Sequence, residues 1–247
     1  MPSSRRARIP ARTPSRSPRG PSRAAAPEEL PAARRKRAAA VLERLRREFP
    51  RPVTALRHEN PFQLLIATIL SAQCTDERVN MVTPGLFSRY PSPALLAAAA
   101  PAELEREIRS TGFFRMKAKS IRGCSAAIVE RHGGVVPGSL DELTRLPGVG
   151  RKTANVVLGQ AFGVASGVVV DTHVHRLSGR LAFSTAATPE KIEQDLMGVF
   201  RKADWIEAGS LLILHGRKTC AARKPRCGEC TVRDLCPSAA LVPPSRA

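Results

Sequence analysis

An all-α protein is what the sequence predicts, on three observations. From Arg34 onward apolar residues recur at helical spacing in nearly every segment. Several of those segments are preceded by helix starters, an Asn, Ser or Thr with Pro or an acid close behind. The one run of strand character, Val168-Val169-Val170, has no partner run to pair with.

Taken in order, Val41, Leu42, Leu45 and Phe49 form the first apolar stripe. Asn60 reads as an N-cap with Pro61 in the first helical position, and Phe62, Leu65, Ile66, Ile69 and Leu70 then follow at i, i+3, i+4, i+7 and i+8. Pro101 opens a further helix whose early turns hold Glu103 and Glu105, where the helix dipole favours acids. A long helix is expected from about Lys117 to His132, stopped by Gly133. Ser139 and Glu142 have capping-box spacing. Thr188-Pro189 starts a later helix, with Ile192, Leu196, Val199 and Phe200 inward.

Composition narrows the function. The 247 residues include 40 Lys or Arg against 21 Asp or Glu, a net charge of +19 and an isoelectric point near 11.1. That excess points to a polyanion, with nucleic acid ahead of a membrane surface. Aromatics are only 4% of the chain, too few for a single-strand binder built on stacking platforms. No apolar run is long enough to span a membrane. The first 31 residues differ from the rest: seven Arg, two Glu, seven Pro and five Ser. We read 1–33 as a disordered basic tail rather than a secretory signal, with organelle targeting as the other reading.

Four motifs carry chemistry. Leu143-x-x-Leu146-Pro147-Gly148-Val149-Gly150 lies between two helical stretches. Gly148 and Gly150 let the chain turn sharply and present backbone amides at the next helix start, where they and the dipole favour phosphate. An ordinary helix–helix turn would need no charge, but Arg151 and Lys152 follow at once, so a DNA-backbone clamp is favoured. Lys152 itself sits at that helix N-terminus, whose positive potential favours a neutral, nucleophilic amine; a solvated lysine is the plainer reading. Asp171, in Val170-Asp171-Thr172-His173, follows an apolar run and opens a helix, and reads equally as a plain N-cap or as a functional carboxylate. His173 and His175 face different sides of that helix and make a poor metal pair.

The last motif is Cys220-x6-Cys227-x2-Cys230-x5-Cys236, followed by Pro237. Only one pair is tight, so the spacing fits an iron–sulfur cluster better than zinc, which stays open. Arg217, Lys218, Arg223, Lys224 and Arg226 make this loop a second phosphate-contact candidate. Cys74 and Cys124 are expected in helices as buried, inert thiols.

Together these motifs resemble the endonuclease III family of helix-hairpin-helix DNA glycosylases. The match rests on residues 146–155 (Leu-Pro-Gly-Val-Gly-Arg-Lys-Thr-Ala-Asn), 170–173, Ser-Ala-Gln at 71–73, Leu-His-Gly-Arg at 214–217 and the four cysteines. It covers about residues 34–237. The resemblance implies two helical domains flanking a DNA-binding cleft: a six-helix barrel over 53–164, and a domain of 34–52 plus 165–247 holding a 4Fe-4S cluster on Cys220, Cys227, Cys230 and Cys236. It implies a monomer that removes oxidised pyrimidines from damaged duplex DNA in the bacterial cytoplasm and then cleaves the abasic site. Lys152 and Asp171 match the family's catalytic pair. Gln73 and Phe113 match the residues that fill the gap left by a flipped nucleotide, although an aliphatic residue is common at the second position. The rivals are a mismatch glycosylase that leaves the strand uncut, which Lys152 disfavours, and a non-catalytic redox-sensing DNA-binding protein, which Lys152 with Asp171 disfavours.

Overall fold

A computed structural model describes residues 29–241. The basic tail therefore lies outside the described residues up to 28. Helix α1 (Pro31–Glu48) begins three residues before the expected start, because Pro31 occupies a first-turn position where its missing N–H costs nothing. Ten more α-helices follow among the described residues: α2 (Pro61–Leu70), α3 (Asp76–Arg89), α4 (Pro93–Ala97), α5 (Pro101–Glu107), α6 (Phe114–His132), α7 (Leu140–Thr144), α8 (Arg151–Phe162), α9 (Thr172–Arg180), α10 (Pro189–Val199) and α11 (Trp205–Lys218). Short 3-10 turns cover Arg109–Thr111 and much of the segment after Cys227.

Local chemistry sets the boundaries. The Asn60 side chain accepts from the Gln63 amide at 2.9 Å and caps α2. Gly133 ends α6 in the left-handed region, φ +58°. At α7 the Ser139 hydroxyl accepts from the Glu142 amide, as a capping box requires. The Glu142 carboxylate, however, takes the Ser139 hydroxyl proton at 2.6 Å instead of reaching back to a backbone amide.

Packing divides the helices between two apolar cores, and the protein is two helical domains flanking a cleft. One core is drawn from residues 56–158. At its centre α2 buries Leu64 and Ala67 as well as the expected stripe, so it is enclosed on most of its circumference. The other core joins α1 to residues 168–232. The Val168–Val170 run is neither helix nor paired strand among the described residues. Val168 and Val170 enter the second core, and the alternation of an extended chain turns Val169 and Asp171 the other way.

Candidate active site

That alternation delivers Asp171 to a cavity of about 300 Å³ between α8 and α11. Lys152, Asn155, Val156, Gly159 and Gln160 come from one face of α8; Ile206, Ser210, Ile213, Leu214 and Arg217 come from the facing side of α11. Residues 53–56 and the loop Ser71-Ala72-Gln73 close the remaining sides. Lys152, Asp171 and Gln73 are thus brought to one space from positions 19 to 98 residues apart in the sequence.

The two groups expected to do chemistry are held differently. Lys152 is exposed in the first turn of α8, on a helix whose N-cap, Gly150, offers no side-chain cap. Asp171 is the N-cap of α9. Its Oδ1 accepts the amides of His173 and Val174, both at 2.8 Å, while Oδ2 carries no hydrogen bond among the described residues. Capping and a free carboxylate oxygen coexist in one side chain, so the cap does not exclude chemistry.

In the hairpin the two glycines have unequal duties. Gly148 has φ +75°, and a Cβ there would lie 2.6 Å from the Ser120 Cβ. Only glycine fits. Gly150 has an ordinary extended φ of −88° and open space around it, so its bareness matters for access to the α8 amides rather than for the turn. Arg151 turns its guanidinium to Glu193 of α10, at 2.7 and 3.2 Å, instead of lying free beside the hairpin. Glu193, buried, also accepts from Asn155 at 2.8 Å.

Among the described residues four other than glycine have positive φ: Gln73, Phe113, Ala182 and Lys224. Three of these four are sequence-derived candidates for touching DNA. Left-handed backbone costs an ordinary residue about 1–2 kcal/mol, and such strain persists where its surroundings enforce it, often at functional loops. Gln73 is exposed, and Phe113 is 61% exposed although Phe114 beside it packs on the core. Phe113 does not border the cavity that holds Lys152.

The four C-terminal cysteines line one mostly apolar hollow between α9, α11 and the last turns. No three metal-ligating side chains converge as for a single ion among the described residues. Burial pushes the Cys230 thiol up to about 11 and also raises Cys236, a cost that metal-bound thiolates avoid. Arg180 donates to the Cys220 sulfur at 3.1 Å and to the Ala221 carbonyl at 2.7 Å, so α9 grips the first cysteine. The donor set and its hydrogen bonds fit an iron–sulfur cluster. Around it Arg217 pairs with Asp76 at 2.8 Å and Lys218 with Glu48 at 3.2 Å, while Arg226 bonds the Lys218 carbonyl. Arg223 and Lys224 are exposed and make no ion pair among the described residues.

Sequence reasoning missed Asn155, Gln160 and Ser210, although the helical spacing of the first two from Lys152 was available as a signal. It also missed Glu193, the acid of α10 that lies next to Ile192 on its apolar stripe and is buried, and Lys117, which falls on the apolar stripe of α6. Cys74 is not helical: it lies half-buried in the loop between α2 and α3. Cys124 is buried in α6, and burial pushes its thiol to about 12, as an inert thiol should be.

With this geometry in place, comparison with known proteins defines first a class. Residues 66–202 match the HhH-GPD superfamily of base excision DNA repair proteins, and residues 220–236, from the first cysteine to the last, match the iron-sulfur binding domain of endonuclease III. The endonuclease III of Synechocystis sp. is 54% identical over 84% of this chain and 95% of its own length; that of Escherichia coli K12 is 42% identical over 79% and 92%. A solved structure of a trapped endonuclease III–DNA covalent intermediate superposes with a TM-score of 0.80, at 42% identity, covering 84% of this chain and 97% of its own. A thermostable thymine-DNA glycosylase, 22% identical, shares the fold with a TM-score of 0.72. The chain belongs to the endonuclease III family.

Proposed function

We propose that Lys152 and Asp171 are the catalytic residues of this DNA glycosylase and abasic-site lyase, which removes oxidised pyrimidines from duplex DNA in base excision repair. The observation that carries the assignment is their common cavity with Gln73, between the two domains. A base inside a duplex is out of reach, so the damaged nucleotide must leave the stack. The neutral amine of Lys152 attacks the sugar C1′. The N-glycosidic bond breaks with its electron pair going to the departing base, which takes up one of the two protons on the newly bonded, positively charged nitrogen. The free Oδ2 of Asp171 faces the positive charge that develops on the sugar. Loss of a proton from nitrogen and opening of the sugar give a Schiff base between Lys152 and C1′. That imine acidifies the C2′ proton, and its removal expels the 3′ phosphate by β-elimination.

The backbone amides at Gly148, Gly150 and the start of α8, with Arg223 and Lys224, hold phosphates on either side; such contacts give position but no sequence choice. Gln73 and Phe113 fill the gap in the stack. Arg226 and Arg151, both already engaged, contribute charge near the backbone rather than free forks. Cys220, Cys227, Cys230 and Cys236 hold the 4Fe-4S cluster, which when bound ties the loop together. The domains divide as 53–164 and as 34–52 with 165–247, α1 adding its first turn from Pro31 to the latter. The protein acts as a monomer in the compartment that holds the DNA; no described helix is long and apolar enough to cross a membrane.

Borohydride tests the mechanism. Added during turnover it reduces the imine to a stable amine and locks protein to DNA, and Lys152→Gln should abolish that product while leaving binding. Trapping by the Gln variant would move the nucleophile elsewhere.

A further inference from the structure

One buried charge in the first domain has no part in this chemistry. Lys117 is 5% exposed, on the apolar stripe of α6 with Ile121, Cys124 and Ile128. An ammonium in such a place is costly unless partnered, and a methionine would fill the same volume without the cost. Its partners are two backbone carbonyls. Nζ donates to Leu70 at 2.8 Å and to Thr111 at 2.7 Å.

Those carbonyls are not arbitrary points of the core. Leu70 is the last residue of α2, three before Gln73 at φ +52°. Thr111 ends its 3-10 turn, two before Phe113 at φ +48°. The Lys117 amide also donates to the Phe113 carbonyl, at 3.0 Å. A single residue therefore holds the roots of both strained loops. Burial lowers the amine from the ordinary lysine value, so an ammonium held there carries a cost that its two carbonyl partners offset. With both carbonyls engaged and no access to the cavity, this amine is no rival nucleophile.

We propose that Lys117 is a positioning residue that fixes the Gln73 and Phe113 loops relative to each other, so that both side chains enter the base stack in register. This rests on reading those two residues as gap fillers. Successive bases are about 3.4 Å apart along the duplex, so a relaxation of either loop by a fraction of that spoils the fit. Two hydrogen bonds to one rigid ammonium on a nineteen-residue helix restrain that relaxation.

The test uses the full chain with its cluster and compares single-turnover excision of one oxidised pyrimidine in two settings: fully paired duplex, and an unpaired bubble where little stack must be opened. Lys117→Met should slow paired-duplex excision at least tenfold and bubble excision less than twofold. In a Gln73→Ala, Phe113→Ala background the same change should add less than twofold on paired DNA, since nothing remains to be positioned. Should Lys117→Met fail to fold, Lys117→Gln, whose shorter amide serves one carbonyl at a time, is read in the same way. Equal losses on both substrates, no loss on either, or a full effect in the double-alanine background would each overturn the proposal. If instead Gln73→Ala and Phe113→Ala leave paired-duplex excision unchanged, the gap-filling reading itself falls.

Discussion

One continuous stretch, residues 56–158, supplies the buried core of the hairpin-bearing domain, whereas the second domain draws its core from α1 and from residues 168–232. The first is an apolar helical assembly whose polar ties are mostly at its surface, as between Asn80 and Ala55 or Arg89 and Glu103, with Lys117 a buried exception. The second is stitched by arginines. Arg37 reaches the carbonyls of Leu181 and Leu235, Arg44 pairs with Asp234, and Arg180 grips residues 220–222. Beyond Thr219, Val232 is the one residue buried in the core among the described positions, so apolar burial does little for the cysteine loop and these polar ties do more. The contrast teaches that one domain can be built around a contiguous apolar core while its neighbour is held largely by polar ties between segments distant in the chain.

The largest expected effect breaks the chemical side of that contrast. Lys152→Gln should lower strand cleavage by roughly 10³-fold or more with binding retained. Lys152→Arg should fail equally, because a guanidinium stays protonated; a phosphate-binding role would have tolerated it. Asp171→Asn keeps a capping oxygen and removes the charge, so base excision should fall by roughly 10²-fold or more while the melting temperature hardly moves. Unchanged activity per folded molecule would reduce Asp171 to a cap.

A smaller effect probes the second domain. Purified protein should contain about four irons per chain. Cys230→Ser should lose them, expose residues 220–236 to protease and weaken DNA binding about tenfold, or 1.4 kcal/mol. The hairpin domain should melt as before; joint melting would show that the two cores depend on each other. Within the hairpin, Gly148→Ala should cost roughly 2 kcal/mol of stability through its positive φ and the Ser120 overlap, and Gly150→Ala under about 1 kcal/mol. Chemical denaturation of the two variants separates a glycine needed for the turn from one needed for access.

The smallest effect belongs to neither core. Removing residues 1–28 should leave excision intact and flatten the slope of log K against log salt, by about 0.9 for each phosphate that the tail neutralises. An unchanged slope would free the tail for another role, such as targeting.

What the sequence by itself determined is what short-range chemistry controls. A cap such as Asn60, the Gly133 stop, the Gly148 turn and the spacing of four cysteines each involve residues within a few turns of one another, and their patterns are visible in the chain. The family motifs then attached roles to Lys152 and Asp171. Only the tertiary structure decided the rest. It buried α2 on most of its circumference, turned Arg151 away to Glu193, placed Cys74 in a loop and made Lys117 a clasp between segments 47 and 6 residues away. None of these has a sequence period. Each depends on which backbone carbonyl or carboxylate a packed helix happens to face, and that is fixed when the apolar stripes dock and water leaves.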